Sequence, residues 1–124
     1  MLVDAERGGK ALDAAIGDSD DVAVAAVTVA ELKVGVQLAR GRRRDKRGRF
    51  VSAILDAVSI EPYDLEVAEA HAALLAHVRR VGTPRGAHDL IIAATARAQK
   101  RKVVSLDHSG FAELPGVSLA GALG

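Results

Sequence analysis

The sequence feature that most constrains the fold is a short, entirely apolar run, Val22 to Val27, which follows the acidic turn Gly17 to Asp21. The run is rich in valine and offers no polar side chain to water, which is typical of a strand buried on both faces of a parallel sheet. Further along the chain, helical patterns alternate with other short strands. This alternation predicts an α/β fold, in which a parallel sheet lies between two layers of helices.

The remaining segments complete this alternation. Asp64 is expected to cap a long helix, which Gly82 and Pro84 end. The segment from Gly41 to Gly48 is predicted to be a basic break between two helices. Helices are predicted for residues 10–16, Thr28–Leu38, Phe50–Val58, Leu65–Val81 and Leu90–Lys100, and strands for Val58–Glu61, Val103–Ser105 and Val117–Leu119.

Length and composition exclude several classes of protein. The 124 residues are expected to form one domain, residues 1–124, because this length suits a single core. Cysteine is absent, which excludes disulfides and thiolate metal ligands and fits a reducing cytoplasm. No segment is apolar over the length of a bilayer, and the charged N-terminus does not match a secretory signal. Motifs for ATP or NAD binding are also absent from the sequence.

Three acidic residues lie where the predicted strands end or where the following helices begin: Glu31, Asp89 and Asp107. Sites in open α/β sheets form beyond these strand ends, and carboxylates that converge there favour a bound cation. Oxygen ligands without cysteine suit Mg²⁺ or Mn²⁺, which support the cleavage of phosphodiester bonds. Each acid also has a purely structural interpretation. Thr28 and Glu31 fit a capping box, Asp89 fits a helix cap and Asp107 fits a turn cap.

Three segments carry motifs that occur together, in this order and spacing, in one known family. Thr28 to Gly35 contains a Thr-x-x-Glu-Leu core, and Pro84 to Ala96 contains the pattern Asp-Leu-x-Ile-Ala-Ala-x-Ala. Val103 to Asp107 is a strand end with Ser105 in the place of a more usual threonine, and a Phe and a Pro-Gly pair follow it. In these segments the chain resembles the PIN-domain family of VapC-like toxins, from about residue 9 to residue 119.

The resemblance implies a PIN-like three-layer fold and Mg²⁺-dependent cleavage of RNA, with Mn²⁺ as an alternative ion. By position, Glu31, Asp89 and Asp107 match the family's catalytic, metal-binding acids, and the hydroxyls of Thr28 and Ser105 lie beside them. Water activated by the ion would attack the phosphodiester, so the chain needs no nucleophile of its own. The resemblance also implies a cytoplasmic toxin–antitoxin system, with a VapB-like antitoxin as partner and a homodimer as assembly.

Two places depart from the family's pattern. Many VapC-like members carry an acid directly before the Phe, and this chain has Gly110 there, so Asp107 must supply the fourth acid alone. PIN domains also open with an apolar strand that ends in an aspartate, and here only Met1–Val3 precede Asp4. Asp4 is one candidate for that aspartate. The residues from Leu2 to Arg7 fit the stretch beyond it better, which predicts that the first strand is missing and that the chain begins too late.

A run of basic residues lies between residues 40 and 49, namely Arg40, Arg42, Arg43, Arg44, Lys46, Arg47 and Arg49. It predicts either a phosphate-binding patch for RNA, with Arg42, Arg43 and Arg44 at its centre, or a solvated and partly disordered loop. An acidic segment of an antitoxin is a further partner for the same charges. His88 is expected at the surface or beside the acids rather than among the metal ligands.

Two other functions compete with the nuclease. A degenerate, non-catalytic PIN remnant that binds antitoxin or RNA would account for the missing first acid and for Gly110. A receiver-type signalling domain also gathers acids at strand ends. It needs an acid pair after its first strand and a lysine after a late strand, and the sequence has neither.

Overall fold

The computed structural model describes residues 1–4, 22–105 and 108–120, and four strands and four helices lie within them. The strands are β1 (Leu2–Val3), β2 (Ala23–Ala25), β3 (Ser59–Glu61) and β4 (Val103–Val104), and the helices are α1 (Ala26–Leu38), α2 (Gly41–Asp56), α3 (Leu65–Val81) and α4 (Ala87–Ala98). None of these helices has the length and apolar character needed to cross a membrane. The helix predicted for residues 10–16 falls outside the described residues.

The four strands form one parallel sheet in the order β3-β2-β1-β4. Leu2 is in register with Ala23 on one side and with Val103 on the other. The strand predicted near the end of the chain contributes a single parallel bridge, between Val103 and Leu119. Because all four strands run in the same direction, their carboxyl ends meet at one edge of the sheet, here called the carboxyl edge.

Side chains alternate between the two faces of the sheet, and two helices cover each face. Leu2 and Val103 pack with α3 and α4 in one apolar cluster. Val3 and Val104 point to the opposite face and pack with α1 and α2 in a second cluster. Burial on both faces explains why β1, β2 and β4 have only apolar side chains, whereas β3, at the edge of the sheet, has exposed side chains at Ser59 and Ile60. The predicted three-layer α/β fold, with helices on both faces of a parallel sheet, is confirmed.

The first strand is short, but it is not missing. Leu2 and Val3 are both 0% exposed, and β1 lies between β2 and β4 in the middle of the sheet. The Leu2 N–H donates to the Lys102 carbonyl and the Asp4 N–H donates to the Val104 carbonyl, each at 2.8 Å. The interpretation of these first residues as a stretch beyond the strand is therefore wrong. Two residues suffice here because each side of β1 has a hydrogen-bonded neighbour.

Helix α3 has the predicted limits. Asp64 is its N-cap, and the Asp64 Oδ1 accepts a hydrogen bond from the Val67 N–H at 3.0 Å. Gly82 follows the last turn with φ of +70°, a conformation that glycine adopts without strain. Both ends of this helix were predictable because the signals that set them are local.

The basic run is helical, contrary to the predicted break. Helix α2 begins at Gly41, and Arg42–Arg44 lie in its first turns with their side chains exposed. Arginine and lysine are good helix formers, so a basic composition does not interrupt a helix. Gly48 lies inside α2 and faces α1, where a Cβ atom would be in ordinary van der Waals contact with the Val36 Cγ1 at 3.6 Å.

Candidate active site

Asp4 lies directly after β1, at the carboxyl edge, and β4 holds its side chain. Ser105, the residue after β4, donates a hydrogen bond from its Oγ to the Asp4 Oδ2 at 2.7 Å. The two residues are 101 positions apart, and they meet because β1 and β4 are neighbours. Ser105 is 4% exposed, so a buried hydroxyl fixes the orientation of the Asp4 carboxylate. Asp4, the less favoured candidate of the sequence analysis, is therefore placed among the candidate site residues.

Helix α1 places Glu31 near the same edge. The Glu31 Oε1 lies 3.4 Å from the Nδ1 of His88, and the two side chains are 28% and 58% exposed. His88 directly precedes Asp89, so this contact brings Glu31 to the first turn of α4. The expectation that His88 lies at the surface beside the acids agrees with this geometry.

The capping box predicted for Thr28 and Glu31 does not form. Helix α1 begins two residues before Thr28, its N-cap is Ala25, and no side chain caps it. The apolar run that contains β2 also supplies the first two residues of α1. The helix therefore starts before Thr28, the residue whose hydroxyl predicted its start. The purely structural interpretation of Glu31 is therefore wrong, and its carboxylate contacts His88 instead.

Thr28 is fully buried, and its Oγ1 has no hydrogen-bond partner among the residues that the structure describes. A buried threonine inside a helix usually donates to the carbonyl four residues earlier, as the Thr95 Oγ1 does to the Ile91 carbonyl at 2.8 Å. The residue four positions before Thr28 is Val24, which lies in β2 rather than in the helix. The Thr28 hydroxyl thus needs a partner that these residues do not supply.

This difference predicts opposite effects for two matched substitutions. Thr28→Val removes a buried hydroxyl that makes no hydrogen bond, so we expect the free energy of unfolding without added metal to rise by about 1 kcal/mol or more. Thr95→Val removes a hydrogen bond that is made, so we expect a loss of about 1 kcal/mol. Urea denaturation of both variants measures the difference. Equal destabilisation would show that the Thr28 hydroxyl is already satisfied in solution.

Asp89 is the third residue of α4, whose N-cap is Gly86, so its interpretation as a cap is wrong. Its carboxylate lies between two glycines. A Cβ atom built on Gly86 would be 3.4 Å from the Asp89 Oδ2, and one built on Gly110 would be only 2.6 Å from it. Cβ atoms do not approach other atoms so closely, and Asp89 can therefore take this position only because residue 110 is a glycine. Gly110, where the chain departs from the family's pattern, thus provides space for the Asp89 carboxylate.

Asp107 falls outside the described residues, and its part in the site stays a prediction. Within residues 1–4, 22–105 and 108–120, no three His, Asp or Glu side chains lie close enough together to hold a metal ion. Mg²⁺ usually keeps several waters and is bound through only one or two carboxylates, so it does not require such a group. Asp4 and Asp89, with the hydroxyls of Ser105 and Thr28, offer oxygen atoms alone. These residues fit a hydrated Mg²⁺ or Mn²⁺ ion better than an ion enclosed by protein ligands.

Fold and site together define a class of protein: a three-layer α/β domain with carboxylates and hydroxyls where its parallel strands end. The chain belongs to the PIN-domain family, whose model, described as "PIN domain", matches residues 1–117. The predicted resemblance is confirmed.

The chain is similar to proteins named as a ribonuclease and a toxin, and to a solved VapBC structure. The chain is 25% identical to Ribonuclease VapC of Rickettsia bellii over 118 residues, which are 93% of this chain and 86% of the relative. It is 34% identical to Toxin FitB of Neisseria gonorrhoeae over 96 residues, 74% of this chain and 69% of the relative. Among solved structures it is similar to VapBC-5 of Mycobacterium tuberculosis, with a TM-score of 0.79 and 29% identity over 95% of this chain and 94% of the other.

Proposed function

We propose that the chain is a one-domain, divalent-cation-dependent endoribonuclease that acts as the toxin of a toxin–antitoxin pair. Its membership of the PIN-domain family and its similarity to a protein named Ribonuclease VapC support this activity. The observation that carries the proposal is the Asp4 carboxylate, which Ser105 holds at the carboxyl edge at 2.7 Å. The family's pattern has an aspartate after the first strand, and Asp4 supplies an acid in this place.

Asp4, Glu31 and Asp89 are the proposed ligands of Mg²⁺ or Mn²⁺, directly or through water, and Asp107 is the proposed fourth acid. A bound ion of this kind supplies positive charge to the phosphate and lowers the pKa of a water molecule that can attack phosphorus. The carboxylates orient the reacting groups and accept protons or hydrogen bonds from water. No side chain has to form a covalent bond to the RNA.

Three neighbouring side chains are proposed to keep these acids in position. The hydrogen bond from Ser105 orients Asp4 at 2.7 Å, and the contact with His88 holds Glu31 at 3.4 Å. Thr28 is 0% exposed, so a nucleotide cannot reach its hydroxyl. We propose that this hydroxyl donates to a water molecule or to a carboxylate of the site when the ion is bound.

RNA is the proposed substrate, and the basic first turns of α2 are its proposed phosphate contact. Arg42, Arg43 and Arg44 are exposed on consecutive positions of the first turns of this helix. A rigid helix presents positive charges at fixed positions, whereas a disordered loop would lose conformational entropy on binding. The helical structure of the run therefore favours a binding surface.

A VapB-like antitoxin is the proposed protein partner. Large apolar side chains are exposed on α1 and on α2, the helix that carries the basic run: Val34 is 40% exposed, Leu38 is 68% exposed and Phe50 is 42% exposed. Apolar side chains next to positive charges fit an amphipathic and acidic segment. The similar solved protein VapBC-5 is described as a member of a toxin–antitoxin family. The family resemblance also supports a homodimer in the cytoplasm as the working assembly.

The direct test is the cleavage of RNA by the purified chain. We expect cleavage with Mg²⁺ or Mn²⁺, background cleavage with a chelator, and background cleavage by Asp89→Asn in the presence of the ion. Asparagine keeps the shape of the side chain but removes the charge that attracts the cation. Equal cleavage by both proteins would place the activity outside this site and would reject the proposal.

A second candidate function is a non-catalytic PIN domain that binds antitoxin or RNA. Gly110, in the place of a family acid, favours it, as does the lack of three clustered metal ligands among the residues described. The two functions differ in their response to ions. Ion binding at a working site raises the free energy of unfolding by about 2.7 kcal/mol when the ion concentration is 100 times the Kd. A degenerate site that binds no ion leaves this free energy unchanged. A thermal melt with and without Mn²⁺ therefore separates them.

A further inference from the structure

We propose that Arg85 is a positioning residue that fixes the Asp89 carboxylate for the cation. This inference rests on the proposed function and adds a residue that neither the acidic motifs nor the basic run includes. Arg85 lies in the loop between α3 and α4 and directly precedes the N-cap of α4.

The Arg85 guanidinium joins two segments that are distant in sequence. Its Nη1 donates to the Thr83 carbonyl at 3.0 Å within its own loop. Its Nη2 donates to the Ala112 carbonyl at 3.1 Å, 27 positions further along the chain. The Arg85 Nε is buried without a hydrogen-bond partner among the described residues. The side chain is thus held between the α3–α4 loop and the segment that follows β4.

These two segments are the ones that flank the Asp89 carboxylate. Gly86 follows Arg85, and Gly110 lies two residues before Ala112, the acceptor of the Arg85 bond. A Cβ atom on Gly110 would be 2.6 Å from the Asp89 Oδ2, so the backbone of residue 110 sets a limit to where that oxygen can lie. A bond that holds residue 112 also holds residue 110, and it therefore determines the width of the space that Asp89 occupies.

The buried side of the same segment is anchored separately. Phe111 is 1% exposed and Leu114 is 4% exposed, and both belong to the apolar cluster that α4 helps to form. Apolar contacts of this kind keep the segment packed on the protein. They do not fix the distance between this segment and the α3–α4 loop to a fraction of an ångström. Arg85 supplies a directional bond, because a planar guanidinium presents donors at fixed angles to two carbonyl groups.

The charge of Arg85 makes the test unambiguous in sign. A positive charge near a cation site weakens the binding of the cation, so its removal would strengthen binding if electrostatics were its only effect. A positioning role predicts the reverse. Loss of Arg85 would let the 110–112 segment move, and the Asp89 carboxylate would no longer be confined to one position.

The experiment is a calorimetric titration of the full-length chain with Mn²⁺, below the melting temperature of every variant. We expect Arg85→Ala to raise the Kd for Mn²⁺ by about tenfold, the effect usual for a group that supports a metal ligand. Arg85→Lys keeps the charge but cannot reproduce two fixed donors, so it should also bind more weakly than the parent chain. The matched control is Arg79→Ala, which removes an arginine of α3 that lines one groove together with Arg85. Its Kd should not rise.

Gly110→Ala tests the same contact from the other side, because its added Cβ must displace the Asp89 carboxylate. We expect a higher Kd for Mn²⁺ in this variant. In the double variant with Arg85→Ala, the Kd should rise by less than the product of the two single fold-changes, because both substitutions act on the Asp89 side chain. An unchanged or lower Kd for folded Arg85→Ala, or independent effects in the double variant, would overturn the inference while leaving the proposed function intact. A parent chain that binds no Mn²⁺ would overturn both.

Discussion

Asp4→Asn is expected to lower the rate of Mg²⁺-dependent RNA cleavage by at least about 100-fold, with little change in the free energy of unfolding. Asparagine has nearly the same size as aspartate, and its carbonyl oxygen can still accept the 2.7 Å hydrogen bond from Ser105. The substitution therefore removes the negative charge and leaves the packing of β1 in place. Initial rates of cleavage of a labelled RNA, with a melt of each protein, measure both quantities.

Asp56→Asn is the control for this prediction. Asp56 is exposed at the end of α2 and has the same charge as Asp4, so its substitution should leave the cleavage rate unchanged. If Asp4→Asn cleaved RNA as fast as the parent chain, Asp4 would have no part in binding the ion. The hydrogen bond with Ser105 would then serve only to join β1 to β4.

Replacement of Arg42, Arg43 and Arg44 by alanine is expected to make RNA binding much less dependent on salt. Each lost phosphate contact lowers the slope of log K against log salt by about 0.7 for single-stranded RNA, so three lost contacts lower it by about 2. Arg44 donates to the Gln37 Oε1 at 3.3 Å on the protein surface, a bond weak enough for RNA phosphates to displace. Alanine preserves the helix, because it has the highest helix propensity.

The measurement is fluorescence anisotropy with labelled RNA between about 50 and 200 mM salt, in an Asp89→Asn background that keeps the RNA intact. The matched control is Arg79→Ala with Arg80→Ala, which removes two exposed arginines from the last turn of α3. The slope of this control should equal that of the parent. A slope that the triple substitution leaves unchanged would assign the basic first turns of α2 to another partner.

The parts of the fold that the sequence predicted correctly depend on local signals. Asp64 and Gly82 define α3 because a cap and a positive-φ glycine act within one helical turn. The apolar run beginning at Val22 indicates a buried parallel strand, because the apolar character of its side chains is also a local signal. Its end was not predictable, because the residues after Ala25 are apolar whether they continue the strand or begin α1. That ambiguity led to the wrong capping box at Thr28.

The candidate site was only partly predictable, because its decisive contacts join residues that are far apart in the chain. Their motifs make Glu31 and Asp89 candidates, and the contact between Glu31 and His88 brings α1 to the start of α4. Asp4 is a weak candidate from sequence alone, because the three residues before it are few for a strand and form one only by pairing with β2 and β4. The role of Gly110 could not be deduced at all, since its proximity to Asp89 is a tertiary contact.

The bond between Ser105 and Asp4 also has a consequence for the timing of biosynthesis. It joins residues 101 positions apart, and β1 gains its second neighbour only when β4 has been made. Translation at about 5–20 residues per second separates the synthesis of the two residues by about 5–20 s. The proposed catalytic site therefore cannot be completed before Ser105 has been synthesised, because the contact that orients Asp4 can form only then.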